Sequence, residues 1–201
     1  MSHRDDLVGS WSLATGARED EILALDLGQI PNPQDRRYAN QKIIQIPIFK
    51  TKGLKPRTLY VPRSIVDRTY RYILGERAAV CRRLKKRGKT ADADAVFLSD
   101  LGNRLAARTL QEHFRDTADA EGSTARFHDL RHTFAIHRLV QLRKAPIVND
   151  YGIVIEPIKT LKEILGHAHI STVMIYLEAL DVDPRVAEDA MQAWVEEWSS
   201  R

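Results

Sequence analysis

Residues 41–62, QKIIQIPIFKTKGLKPRTLYVP, decide the fold class. Ile43, Ile44, Ile46, Ile48 and Phe49 give the first half strong β propensity, because branched and aromatic side chains suit a pleated, half-buried surface. KTKGLKPR then reads as a glycine-containing hairpin loop, and TLYVP as the returning strand. One small antiparallel sheet is predicted here, and almost everything outside it is helical.

Upstream, PNPQD is a cluster of turn formers. Before it, residues 3–14 read as a helix stopped at Thr15-Gly16, where glycine supplies the left-handed backbone of a helix end. A second, short helix follows from Arg18, with Ile22, Leu23 and Leu25 inward. Downstream, Ile65, Tyr72, Ile73, Ala79 and Leu84 recur at helical spacing, which predicts one helix running to Gly88. DADAVFLSD is a short extended piece. LAARTLQEHFRDTADAEG, HDLRHTFAIHRLVQL, KTLKEILGH and STVMIYLEAL read as further helices. Between the middle two, RKAPIVNDYGIVIEP carries alternating apolar residues that suggest an added β hairpin. Asp183-Pro184 opens a last amphipathic helix with Ala187, Met191, Val195 and Trp198 on one stripe. The expected fold class is mainly α with a small antiparallel β-sheet (α+β).

With 201 residues, 43% of them hydrophobic, the chain can bury the core of one domain. Its formal charge of +4 and pI near 9.2 are mild, so the placement of cations matters more than their sum. A lone cysteine, Cys81, excludes an internal disulfide and fits a reducing compartment. No apolar run approaches the roughly 20 residues of a membrane span. The expectation is a soluble, cytoplasmic protein with no membrane partner.

FHDLRHTFAIH, residues 127–137, places His128, Arg131 and His132 on neighbouring positions of one helical face. A zinc reading fails on ligand count: the glutamate of H-E-x-x-H is missing, and no carboxylate or cysteine cluster offers a third ligand. The plain alternative is a helix start whose imidazoles bond locally. Other polar positions weigh against it. Arg18 follows a glycine turn, Lys52 sits in the hairpin loop, and LGHAHISTVMIY sets His167 nine positions before Tyr176. Guanidiniums match phosphate oxygens, and nearby cations help a phenol of pKa about 10 reach the phenolate. The set makes sense as a metal-free phosphoryl-transfer site, with no metal and no cofactor.

ATGAR with Glu21 three residues on, KGLKPR followed by VP, HDLRHTFA and LGHAHISTVMIY, in this order, resemble the catalytic domain of the tyrosine recombinase (phage-integrase-like) family. The resemblance covers about residues 7–180. It implies that Arg18 and Arg131 clamp the scissile phosphate, with His167 adding a hydrogen bond. His128 serves in acid/base work or positioning, Lys52 protonates the leaving 5′-oxygen, and Tyr176 attacks phosphorus. Lys50 and Lys55 rival Lys52, and His169 rivals His167. Glu21 takes a supporting role, orienting an active-site arginine, while His132 and His137 serve the fold.

The same resemblance implies a catalytic domain over 1–180 and a C-terminal amphipathic tail over 181–201, whose apolar stripe either packs on its own domain or, by the family's precedent, docks into a neighbouring protomer of a tetramer. The partner is double-stranded DNA, with RRLKKRGK, Arg104, Arg108 and Arg115 as candidates to line its backbone. The family's preceding DNA-clasping domain is expected to be absent, so that this piece binds DNA weakly and cleaves without completing recombination. Two other functions remain at this point: a type IB topoisomerase, which shares the chemistry but only relaxes supercoils, and a regulator that keeps the fold without catalysis. The latter is expected to have lost a catalytic position, and none is lost.

Overall fold

The computed structural model describes residues 1–49, 56–144, 148 and 156–166. The chain divides into two compact units, Met1–Arg131 and a second that begins at His132. Among the described residues the structure is mostly helical with one two-stranded sheet.

Helix α1 (His3–Thr15) starts where Ser2 accepts a hydrogen bond from the Asp5 N–H, and it stops at Gly16, which has φ 65°. That left-handed conformation is open to glycine at little cost. Leu7, Val8 and Trp11 are fully buried, and the Trp11 indole donates to Thr69 Oγ1 at 2.9 Å. Helix α2 (Glu19–Leu23) follows at once and buries Ile22 and Leu23, with Leu25 buried just beyond it.

Strands β1 (Ile43–Ile48) and β2 (Arg57–Pro62) pair antiparallel, with Ile46 opposite Leu59 and Ile48 opposite Arg57. Strand periodicity sorts the isoleucines: Ile44, Ile46 and Ile48 are buried, whereas Ile43 and Phe49 face out. The expected sheet is therefore present. The extended piece after residue 91 does not join it; Ala95 bridges Asp26, and the Val96 N–H donates to the Leu25 carbonyl.

The single helix expected up to Gly88 is interrupted. Helix α3 (Arg63–Tyr72) passes through a π turn at Ile73–Arg77 into α4 (Ala78–Lys86). A π turn inserts one residue into the helical repeat and so shifts the inward face. Ile65, Thr69 and Tyr72 are buried before it; Arg77 and Leu84 are buried after it. Ala79, expected inward, is exposed as a result. Arg77 enters instead, donating to the carbonyls of Ala95, Asp92 and Ala93.

Helix α5 (Ala107–Ala120) buries Leu110 and leaves a charged face outward, and α6 (Phe127–Lys144) sets Phe127 edge-on to Phe114 with centroids 5.6 Å apart. In the second unit, Phe134, Ala135, Leu139 and Leu142 of α6 share a small core with Leu161 and Leu165 of α7 (Pro157–Leu165). Burial lowers the pKa of His137 there. Gly166 ends α7 with φ 63°. The expected hairpin over 147–155, apart from Val148, and the helices expected from residue 171 onward lie outside the described residues. No helix among the described residues is long and apolar enough to cross a membrane.

Candidate active site

Arg18 is the N-cap of α2, in extended conformation (φ −70°, ψ 150°). A cation here opposes the exposed N–H groups of a helix start unless anions balance it. The chain supplies them in Glu19, Asp20 and Glu21, the first turn of the same helix. Glu21 reaches back and accepts the Arg18 backbone N–H at 2.8 Å. Its other oxygen stands 3.8 Å from Arg18 Nη1, an ion pair but longer than a hydrogen bond. That Nη1 is buried and makes no hydrogen bond among the described residues. A buried guanidinium N–H without an acceptor is costly, and an oxyanion is its natural complement.

Arg131, on the second turn of α6, is 2% exposed and donates through Nη1 to the Gly16 carbonyl, beside Arg18 in the chain. Its charge also acts on Glu21. Arg18, Glu21 and Arg131 are thus gathered around the junction of α1 and α2. His128, one turn earlier on α6, is exposed. It stands at the edge of a cleft of about 610 Å³ that Glu19, Gln111, Phe114, Arg115 and Arg126 also line.

Arg57 is the member that sequence reading missed. Its guanidinium grips the Glu21 carboxylate with both edges, Nε to Oε1 at 3.0 Å and Nη2 to Oε2 at 2.7 Å. Both side chains are nearly buried, at 11% and 3% exposure. The signal lay in the strand alternation: Arg57 shares the inward face of β2 with Leu59 and Val61, and a cation on such a face needs a buried acid. Burial pushes the Glu21 carboxyl up, but the Arg57 hydrogen bonds and charge, the Arg18 N–H and the Arg131 charge outweigh it. The carboxyl is held below the usual glutamate range.

Arg104, expected on a DNA-facing surface, belongs to the fold instead: it donates to the carbonyls of Leu23 and Leu25 and pairs with Asp26. Arg108 is exposed and paired with Glu112, and Arg115 lines the cleft. In RRLKKRGK only Leu84 is buried; Arg82, Lys85, Lys86, Arg87 and Lys89 are exposed. Among the described residues no three His, Cys, Asp or Glu side chains converge as metal ligands. Lys52, His167 and Tyr176, with their rivals Lys50, Lys55 and His169, lie outside the described residues.

The model of the phage integrase family matches residues 1–142. Tyrosine recombinase XerD of Mycobacterium tuberculosis is 31% identical over 165 residues, 81% of this chain and 44% of that protein. Tyrosine recombinase XerC of Pseudomonas savastanoi pv. phaseolicola is 29% identical over 178 residues, 88% of this chain and 48% of the relative. The chain spans about half the length of these curated relatives. Among solved structures, XerH site-specific recombinase bound to a palindromic difH substrate in a post-cleavage complex superimposes with a TM-score of 0.63 at 23% identity. That match covers 96% of this chain and 48% of the other. XerA recombinase gives 0.58 at 23% identity, covering 87% and 52%. At such identities the likeness speaks for the fold.

Proposed function

The chain belongs to the phage integrase family of tyrosine recombinases, and on that premise we propose that it cleaves and rejoins DNA at specific sites through a 3′-phosphotyrosyl intermediate. The observation that supports this reading is a pair of arginines, Arg131 buried against Gly16 and the half-buried Arg18, whose Nη1 is buried and unbonded among the described residues. Two such guanidiniums suit the non-bridging oxygens of a phosphodiester and stabilise the charge that gathers on them in the transition state.

In this reading the Tyr176 oxygen attacks phosphorus and the bond from phosphorus to the 5′-oxygen breaks. The electron pair leaves on that oxygen, which takes a proton from Lys52. His167 adds a hydrogen bond to the phosphate, and His128 acts beside the nucleophile as acid/base or positioning group. A 5′-hydroxyl then reverses the step, so the energy of the phosphodiester is kept and neither ATP nor a divalent ion enters. Double-stranded DNA is the substrate, the exposed cations of RRLKKRGK run along its backbone, and residues 1–180 hold the chemistry. The segment 181–201 joins protomers into a tetramer on paired sites.

The test is to incubate the chain in EDTA with a pool of nicked suicide duplexes of randomised sequence and to recover covalent adducts. A Tyr176-dependent adduct is expected. An adduct that survives Tyr176→Phe removes the nucleophile, and one abolished by EDTA removes the metal-free mechanism. Recombinant products from paired recovered sites identify a recombinase, whereas relaxation alone identifies topoisomerase chemistry.

A further inference from the structure

We propose that Arg57 is a positioning residue for this reaction, holding Glu21 so that the Arg18 guanidinium stays available to the phosphate. The inference rests on the recombinase reading above and adds a residue to it. Among the described residues Glu21 is the acid paired with Arg18: its Oε1 is 3.8 Å from Arg18 Nη1, and a small rotation closes that gap to a hydrogen bond. A direct pair of this kind satisfies both groups and competes with any incoming anion. Arg57 opposes the closure by fixing the orientation of the carboxylate in a bidentate fork, the geometry that a planar guanidinium holds most firmly. The second oxygen is further fixed by the Arg18 N–H at 2.8 Å. Glu21 can therefore orient the Arg18 backbone while leaving the Arg18 Nη1 hydrogens unbonded by its carboxylate.

Arg57 also has a second attachment. It is the first residue of β2, five positions after Lys52 in the sequence, so the fork ties the foot of the hairpin to the start of α2. One ion pair thereby joins β2 to the helix start on which Arg18 stands. A shift of about 1 Å in such a group can slow a reaction by about 10²-fold.

The experiment measures the rate of covalent adduct formation on a duplex recovered from the randomised pool, with DNA affinity measured beside it. Arg57→Met keeps most of the aliphatic stem and removes the fork. It is expected to slow adduct formation by about 10²-fold while affinity changes by only a few-fold. The deciding variant is R57M combined with E21Q, in which Glu21 can no longer compete as an anion. The double variant is expected to regain at least about tenfold of the missing rate per folded molecule, with denaturant unfolding of both variants separating this from mere relief of an unpaired buried carboxylate. A wild-type rate in R57M, or a double variant no faster than R57M, overturns the proposal and leaves the recombinase reading standing. Should R57M fail to fold, the double variant decides alone: a rate within about tenfold of wild type supports the proposal, and a loss of about 10²-fold overturns it. Absence of any Tyr176-dependent adduct from the wild-type chain defeats the recombinase reading, and this proposal with it.

Discussion

Arg77 is buried in the first unit and Arg18 only half-buried, and they are left in opposite conditions. Arg77, behind the π turn, donates to the carbonyls of Ala95, Asp92 and Ala93, and so ties an irregular segment to the end of a helix. Arg18, at the start of α2, has a buried Nη1 with no acceptor among the described residues. A guanidinium saturated by backbone carbonyls is a structural clamp. One with a buried donor held in reserve is, on the proposed reading, a binding group, because the fold bears the cost of desolvation before the ligand arrives.

The contrast breaks most sharply on a crossed pair of substitutions. Arg18→Ala is expected to slow adduct formation by about 10²–10³-fold, the effect of losing a preorganised oxyanion donor, with stability changed by less than about 1 kcal/mol. Arg77→Met is expected to do the reverse, costing about 3 kcal/mol in denaturant unfolding while the rate per folded molecule holds. If Arg18→Ala melts the protein instead, the reserve donor is no reserve.

Acid titration sharpens the same division at smaller scale. Glu21 and Asp5 are both buried, and burial alone raises a carboxyl pKa. In Glu21 the Arg57 pair prevails, and in Asp5 the hydrogen bonds to Arg4, Ser2 and His113 do, so both stand below the usual carboxylate range. A folded-state pKa below the unfolded one stabilises above the ordinary value of about 4, and that stability disappears as pH falls through the folded value. Thermal unfolding followed from about pH 6 downward is expected to show the decline below about pH 4, with a shallower acid limb in Glu21→Gln.

The smallest effect belongs to the exposed cations. Changing Arg82, Lys85 and Lys86 to Gln is expected to lower the salt slope of DNA binding by about 0.9 for each phosphate that is no longer neutralised. Stability is expected to move by less than about 0.5 kcal/mol, since Leu84 and the Arg83 bond to Asp100, both left in place, anchor that stretch.

Much of the molecule was legible in advance because local rules govern it. β propensity placed the two strands on either side of the KTKGLKPR loop, and glycine chemistry ended α1 at Gly16. The interrupted helix was not legible: its pattern through Tyr72 and Ile73 is sound, and nothing local marks the extra residue that turns Arg77 inward and Ala79 outward. Arg104 shows the same limit. It read as one more surface cation, yet Leu23, Leu25 and Asp26, far away in the chain, claim it.

By itself the sequence determined the fold class, the family motifs and their order, and the residue types of the candidate site, since those depend on side-chain chemistry and short-range spacing. Only the tertiary structure decided which of several similar arginines are saturated and which hold a donor in reserve, and that Arg57 grips Glu21 across 36 positions of chain. Hydrogen-bond saturation depends on which groups folding brings within about 3 Å, and separation along the chain carries no record of that distance.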